Sequence, residues 1–195
     1  LQISGKFNEK IRVIPVVDDQ NKLIDVHFRD KRTQIAVTNP LFDEHEIELL
    51  NECIITGWVS SAGAFVTKFE DMVASYCGTK YAVSCSSATS GLHLALLAHN
   101  IGPGDEVIVP SLSFIATANA VTYTGATPVF VDSQRSTWNI DPDLISAAIT
   151  SKTKAIMPVH LYGHPADMDP INQIAKRHNL IVIEDAAEAQ GAKYK

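Results

Sequence analysis

Residues 39–195 switch repeatedly between two hydrophobic patterns, one with helical spacing and one typical of short buried strands. Apolar residues three and four positions apart predict helices at 43–57, 65–76, 89–99, 114–123, 142–149 and 170–178. Short β-branched runs predict strands at 81–85, 106–109, 128–132, 154–159 and 180–184. Five strands with helices between them indicate βαβ units. The expected fold class is therefore α/β, with a mainly parallel sheet covered on both faces.

Capping residues mark the ends of two of these helices. Asp43 followed by Glu46 matches a capping box, and Gly57 ends the same helix. Asp141 before Pro142 is the usual order at a helix start.

Residues 1–38 form a separate predicted segment. Apolar runs at 11–17 and 23–28, with turn residues at 18–21 between them, predict a β-hairpin. An isolated hairpin is marginal in water, so this one is expected to pack on other sequence. The run IPVVDDQNKLIDV resembles the closing strands of a CBS domain, an adenine-nucleotide-binding regulatory module, although Asn21 and Asp25 stand where glycines are usual. The resemblance covers about residues 1–33. The alternative is a hairpin that belongs to the main domain.

Composition narrows the class of protein. The 195 residues are 46% hydrophobic and 19% charged with a net charge of -6, which is typical of a globular protein of one domain plus a remainder. The acidic balance argues against nucleic-acid binding, and no apolar run is long enough to span a membrane. Three cysteines without a C-x-x-C motif argue against a disulfide framework or a zinc site. The start at Leu1 suggests a fragment or processed product, and without an export signal we expect a cytoplasmic protein.

Ligands of parallel sheets bind beyond the carboxyl ends of the strands, which directs attention to the loops at 86–91, 110–114, 160–167 and 185–191. The first loop places the hydroxyls of Ser87 and Thr89 at a helix start, where free N–H groups suit a phosphate. The alternative is an ordinary Ser/Thr helix cap.

Two further loops carry candidate binding groups. Asp185 ends an apolar strand, where a carboxylate needs a partner such as a protonated pyridine nitrogen, a metal or a helix N-terminus. Phe114 follows another strand end and could lie flat on a ligand ring or belong to the core. His160 and His164 have no carboxylates at ligand spacing, which argues against a metal site.

Other nucleotide and hydrolase motifs are missing from the sequence. Gly102-Pro103-Gly104 lacks the third glycine of a dinucleotide fingerprint and leads into a strand, and no P-loop, H-E-x-x-H or G-x-S-x-G motif occurs. A strand-anchored acid, a hydroxyl-rich helix start and an aromatic fit pyridoxal 5'-phosphate, which also needs a Schiff-base lysine.

Six runs, in order along residues 39–195, resemble the DegT/DnrJ/EryC1/StrS family of sugar aminotransferases. They are GWVSSAGAFVTKFE (57–70), SSATSGLHLAL (86–96), GPGDEVIVPSLSFIATANAV (102–121), GATPVFVD (125–132), KAIMPVHLYGHPADMDPI (154–171) and VIEDAAEAQGA (182–192). The resemblance implies part of the large domain of an aspartate-aminotransferase-like fold (fold type I) that binds pyridoxal phosphate. It also implies a homodimer that moves an amino group, usually from glutamate, onto a nucleotide-linked keto sugar in amino-sugar or surface-polysaccharide biosynthesis.

The resemblance also assigns site residues. Ala88 and Thr89 match the phosphate-binding turn, Phe114 matches the aromatic stacked on the pyridine ring, and Asp185 matches the acid paired with the ring nitrogen. Glu188 matches a polar residue near the ring hydroxyl, where glutamine or histidine is also common. The segment at 57–61 matches one near the substrate, and it carries Trp58, Ser60 and Ser61.

The catalytic lysine is the point of departure from the family. In the family it follows the acid loop after a further strand and a serine-containing turn, so the resemblance places it beyond Lys195, and neither Lys193 nor Lys195 matches it. Two alternatives stay open. One is a sugar dehydratase of the same fold, in which the lysine is replaced, and the other is a non-catalytic regulatory or binding module.

Overall fold

A computed structural model describes residues 13–18, 20, 23–28 and 40–195 of the chain. The chain divides into two compact units, Leu1–Val59 and Ser60–Lys195. Most of residues 1–33, over which the CBS resemblance extends, lie outside the described part, Asn21 among them. That resemblance and the predicted domain boundary after residue 38 stay predictions.

The first unit contains a β-hairpin. Strand β1 (Val13–Val17) pairs antiparallel with strand β2 (Leu23–Phe28). In the connection, the backbone N–H of Gln20 donates to Oδ1 of Asp18 at 2.9 Å. The two apolar runs therefore form the predicted hairpin.

The same unit contains helix α1 (Glu44–Thr56), and both of its predicted ends are confirmed. The Asp43 side chain accepts a hydrogen bond from His45 N–H at 2.8 Å, and the Glu46 side chain accepts one from Asp43 N–H at 2.7 Å. Gly57 ends the helix with φ of 76°, a conformation that glycine adopts without a Cβ clash.

Helices and strands alternate through the second unit. Its elements are α2 (Ala64–Cys77), α3 (Ala88–Ala98), β3 (Glu106–Pro110), α4 (Ile115–Tyr123), β4 (Thr127–Val131), α5 (Pro142–Ala148), β5 (Thr153–Ile156), α6 (Met168–His178) and β6 (Ile181–Val182). All the predicted helices are present, with ends shifted by one or two residues. Within the described ranges, no helix is long and apolar enough to cross a bilayer.

Strands β3 to β6 form one parallel sheet in the order β4-β3-β5-β6. The chain leaves β3 for β4 on one side and then returns to place β5 on the other side of β3. Parallel neighbours need crossover connections, which here are the helices. The predicted α/β class with a parallel sheet is confirmed.

Two apolar layers cover the two faces of this sheet. Val107 and Val109 of β3 belong to a buried cluster that includes side chains of α3 and α4. Ile108, between them, belongs to a second cluster that includes side chains of α5 and α6. This alternation follows from the two-residue period of a strand. The sheet is therefore covered on both faces, as predicted.

Residues 81–85 do not form the predicted strand, so the expectation of five strands is wrong at this segment. Tyr81 and Val83 are 73% and 78% exposed, and no ladder partner lies beside them in the described part of the chain. A β pattern produces a strand only where a neighbour satisfies the backbone groups. The segment is instead tied to α2, because the N–H and hydroxyl of Ser84 both donate to Oε1 of Glu70 at 2.8 Å.

Candidate functional site

The strand order places a topological switch point at the carboxyl edge of the sheet, between β3 and β5. The connections from β3 and β5 diverge to opposite sides, and ligands of open α/β sheets bind at such a switch point. The loops at 111–114 and 157–164 leave β3 and β5 there, and residues 183–185 leave β6 at the same edge. Three of the four loops singled out in the sequence thus emerge along one edge.

Asp185 continues the line of β6 beyond its last regular residue. Its N–H donates to Pro158 O at 2.9 Å, its carbonyl accepts from His160 N–H at 3.1 Å, and it forms an isolated parallel bridge with Val159. Strand β6 is shorter than the pattern predicts, yet this irregular pairing keeps Asp185 against the end of β5.

Asp185 is 7% exposed, and its carboxylate accepts hydrogen bonds from two neutral donors. Thr117 Oγ1 lies 2.8 Å from Oδ2, and Ala187 N–H donates to Oδ1 at 3.2 Å. A carboxylate has about four acceptor positions, so two contacts leave capacity for a further donor. Because a buried charge is costly without a partner, this arrangement suits a protonated ring nitrogen.

The start of α4 lies beside this acid. Phe114 is the N-cap residue of α4, and its carbonyl oxygen accepts from Thr117 N–H at 3.3 Å. The sequence left two environments open for Phe114, a ligand ring or the core. The prediction of a core position is wrong, because the residue is 56% exposed. Thr117 was not among the site residues predicted from the sequence. The feature that could have identified it is its position, one turn into a helix that follows the end of a strand.

The hydroxyl-rich turn at 86–91 starts α3. Ser87 is the cap residue, and its side chain accepts from Ser90 N–H at 3.2 Å. The loop at 99–105 connects the end of α3 to the start of β3, so the first turn of α3 lies toward the carboxyl edge of the sheet. The ordinary helix cap is confirmed. Ala88 and Thr89 lie in the first turn, whose N–H groups lack intrahelical partners, and their phosphate contact stays a prediction.

Glu188 already has a backbone partner. Its Oε2 accepts from Tyr162 N–H at 3.0 Å, and Tyr162 is held in the left-handed region with φ of 50°. This bond ties the 185–191 loop to the turn after β5. The predicted role of Glu188 near a ring hydroxyl stays a prediction.

A buried asparagine holds that turn in place. Asn139 is 2% exposed, its Oδ1 accepts from Leu161 N–H at 3.0 Å, and its Nδ2 donates to His164 O at 2.8 Å. Both ends of the turn at 161–164 are therefore attached to one side chain. The sequence pattern gave no indication of this contact.

His160 and Glu184 form a second polar pair at this edge, with 2.9 Å between Nε2 and Oε2. They also line a groove of about 800 Å³ whose walls are α2 and residues of the 184–194 segment. His164 is held through its backbone, because its carbonyl oxygen accepts from Nδ2 of Asn139 at 2.8 Å. Among the described residues, no group of His, Cys, Asp and Glu is placed to hold a metal ion.

The residues predicted to contact substrate flank the sequence position at which the chain divides into its two units. Trp58 belongs to the first unit, whereas Ser60 and Ser61 begin the second. All three are exposed. Their contact with substrate stays a prediction.

Known proteins match most of this chain. The sequence model of the DegT/DnrJ/EryC1/StrS aminotransferase family matches residues 40–195. The GDP-perosamine synthase of Caulobacter vibrioides is 57% identical over 162 residues, which are 83% of this chain and 44% of that relative. The UDP-2-acetamido-2-deoxy-3-oxo-D-glucuronate aminotransferase of Pseudomonas aeruginosa is 50% identical over 133 residues, or 68% of this chain and 37% of the relative.

Solved structures agree with the sequence matches. NtdA from Bacillus subtilis, with bound cofactor PMP, superposes with a TM-score of 0.71 at 40% identity, covering 79% of this chain and 38% of that one. The predicted fold and the family resemblance are confirmed. The chain spans less than half the length of these relatives.

Proposed function

This chain belongs to the DegT/DnrJ/EryC1/StrS aminotransferase family, and on that basis we propose that it forms the cofactor-binding part of a sugar aminotransferase. The proposed reaction transfers an amino group, from glutamate, to a nucleotide-linked keto sugar. The proposed cofactor is pyridoxal 5'-phosphate. The observation that carries the proposal is the buried Asp185 carboxylate, which has unused acceptor capacity at the switch point of the sheet.

The residues present fit this cofactor. A buried acid with two neutral donors can accept one further hydrogen bond from a charged N–H. The Phe114 side chain is exposed beside the start of the helix that reaches Asp185, so its ring is accessible for stacking. When bound, pyridoxal phosphate supplies an electron sink for the carbanion formed at the amino-bearing carbon.

Each residue has a separate task in the proposed site. The Asp185 carboxylate accepts a hydrogen bond from the ring N–H and so keeps the ring nitrogen protonated. Phe114 lies on the ring face and excludes water from it. The N–H groups of Ala88 and Thr89, with the Thr89 hydroxyl, bind the phosphate at the start of α3, where a helix favours an anion. Glu188 lies near the ring hydroxyl.

The substrate assignment rests on the relatives. Those two proteins are named for a GDP-linked and a UDP-linked sugar, so the proposed substrate is a nucleotide-linked keto sugar, contacted by Trp58, Ser60 and Ser61. The homodimer and the cytoplasmic location expected above stay predictions.

The test uses the protein expressed within its complete reading frame. Purified protein is mixed with glutamate and, in turn, GDP-linked and UDP-linked keto sugars, and the release of 2-oxoglutarate is measured. Wild-type protein should release it, and Asp185→Asn should lower turnover by orders of magnitude with its fold intact. Asp143→Asn, at an exposed position on α5, is the matched control and should leave turnover unchanged.

Two outcomes contradict the proposal. Near-normal turnover of Asp185→Asn would show that the role of Asp185 is wrong. If the wild-type protein removes a sugar hydroxyl without forming an amino sugar, the dehydratase alternative replaces the aminotransferase.

A further inference from the structure

Thr117 uses its hydroxyl differently from other threonines near it. It is 1% exposed, and its Oγ1 donates to Oδ2 of Asp185 at 2.8 Å. Thr122 and Thr124, at the end of the same helix, donate to backbone carbonyls three residues earlier at 2.9 and 2.8 Å. That local bond is the usual one for a helical hydroxyl. Thr117 instead makes a contact across 68 positions of sequence.

Ser113 lies directly behind Thr117. The two hydroxyl oxygens are 2.9 Å apart, and Ser113 is half-buried. A threonine hydroxyl has one proton, and an ionised carboxylate is an acceptor only. The hydroxyl proton of Thr117 is therefore used in the hydrogen bond to Asp185, and the Ser113 hydroxyl must donate to the Thr117 oxygen. The result is a directed chain of hydrogen bonds that ends on a charge, where such bonds are strongest.

These hydrogen bonds restrict the rotation of the Asp185 carboxylate. Rotation of an aspartate about its last bond is soft, because the preference there is broad. At Asp185 the two oxygens are held from two different directions, Oδ2 by Thr117 of α4 and Oδ1 by the backbone N–H of Ala187. The plane of the carboxylate, and with it the direction of the unused acceptor positions, is thereby set.

We infer that Thr117 is a positioning residue that orients the Asp185 carboxylate toward the ring nitrogen of the cofactor, with Ser113 fixing the direction of the Thr117 hydroxyl. This inference rests on the proposed function. Thr117 touches neither substrate nor cofactor in this role and acts through Asp185. Small losses of orientation at such a group have large effects, because the hydrogen bond weakens steeply with angle.

The experiment measures cofactor binding and the state of the ring nitrogen in the protein expressed within its complete reading frame. Thr117→Val removes the hydroxyl with little change in shape, and Thr117→Ser restores it. Thr122→Val, which removes an exposed hydroxyl bonded within the helix, is the matched control. Apoprotein is titrated with pyridoxal phosphate, and the ¹⁵N signal of ring-labelled cofactor reports the protonation of its nitrogen.

Thr117→Val should weaken cofactor binding by about tenfold, the typical effect of disturbing one hydrogen bond to a charged group. Its ¹⁵N signal should move toward that of a neutral pyridine. Thr117→Ser and Thr122→Val should match wild type in both measurements. If Thr117→Val keeps wild-type affinity and the wild-type ¹⁵N signal, the inference is overturned and Thr117 only packs.

Two further variants separate the possible failures. If Asp185→Asn loses the cofactor and Thr117→Val does not, the positioning role alone is wrong. If Asp185→Asn binds as wild type does, the proposed function fails and the inference with it. If Thr117→Val does not fold, Ser113→Ala provides the test. An affinity for pyridoxal phosphate about threefold lower than that of wild type supports the hydrogen-bond sequence from Ser113 through Thr117 to Asp185, and an unchanged affinity refutes it.

Discussion

His160 and Glu184 join the loop after β5 to the end of β6 through a hydrogen bond of 2.9 Å between Nε2 and Oε2. Nδ1 of His160 accepts from Ala166 N–H at 3.0 Å, so this nitrogen carries no proton. Nε2 therefore holds the ring proton and donates it to Glu184. That hydrogen bond holds the pKa of the Glu184 carboxyl below its usual range, against the opposing effect of partial burial.

The lowered pKa of Glu184 predicts an acid-dependent loss of stability. A carboxyl whose pKa is lower in the folded chain stabilises the fold above its unfolded pKa, and this contribution is lost as the pH falls through the folded pKa. Glu184→Gln should therefore have a lower urea midpoint than wild type at pH 7, and the two should converge as the pH falls from about 5 toward 3. The difference should be small, because the side chain is 52% exposed.

Urea unfolding at a series of pH values checks this prediction. Glu48→Gln, an exposed position on α1, serves as the control and should show no such convergence. A difference between Glu184→Gln and wild type that is the same at every pH would refute the role of the charge.

Local chemistry made much of the fold predictable. A capping box needs only Asp43 and Glu46 three positions apart, and Gly57 ends its helix because of its own backbone freedom. Phe114 and Asp185 could be selected because each follows an apolar strand, and strand ends are where ligands bind in parallel sheets.

Contacts between distant segments could not be predicted in this way. Nothing in the local pattern pairs Thr117 with Asp185, or Asn139 with the turn at 161–164, since periodicity describes only the face on which a residue lies. The prediction of a strand at residues 81–85 failed for a related reason. Their pattern is that of a strand, but a strand also needs a neighbour to pair with.

At the start of α3, we expect Thr89 to affect cofactor binding and Ser87 to affect the stability of the fold. Thr89→Val removes the proposed phosphate ligand, so it should weaken pyridoxal phosphate binding by about tenfold to a hundredfold, the value of one hydrogen bond to a charged group. Ser87→Ala removes the cap that accepts from Ser90 N–H, so it should lower the free energy of unfolding by about 1 kcal/mol. Cofactor titration and urea unfolding measure the two effects. Equal cofactor affinity in Thr89→Val and wild type would leave Thr89 without a ligand role.

Asn139 predicts an effect on the stability of the fold. Asn139→Ala leaves the buried Leu161 N–H without its acceptor, which should cost about 1–3 kcal/mol of unfolding free energy. Asn172→Ala, at an exposed position on α6, is the matched control and should change it by less than about 0.5 kcal/mol. Equal urea midpoints for Asn139→Ala and wild type would show that the turn does not depend on this side chain.

The last prediction concerns the Schiff-base lysine that the proposed function requires. Lys195 binds the Asp169 carboxylate and lies over the Tyr194 ring, with 5.1 Å from Nζ to the ring centroid. Its hydrogen bonds to Asp169 and Tyr194 raise the pKa of the amine above its usual range. This ion pair holds the amine against Asp169, which agrees with the mismatch of Lys195 to the family pattern.

We accordingly expect borohydride reduction of the cofactor-loaded protein, expressed within its complete reading frame, to fix one stoichiometric adduct on a lysine outside residues 1–195. Peptide mass mapping locates the adduct. Lys193 and Lys195 are exposed and should carry only the scattered, substoichiometric label that surface lysines such as Lys152 also acquire. Lys195→Arg should keep both the adduct and amino transfer, because arginine preserves the charge beside Asp169 without providing a reactive amine. A stoichiometric adduct on Lys193 or Lys195, lost together with amino transfer on substitution, would place the catalytic lysine within this chain and contradict the prediction.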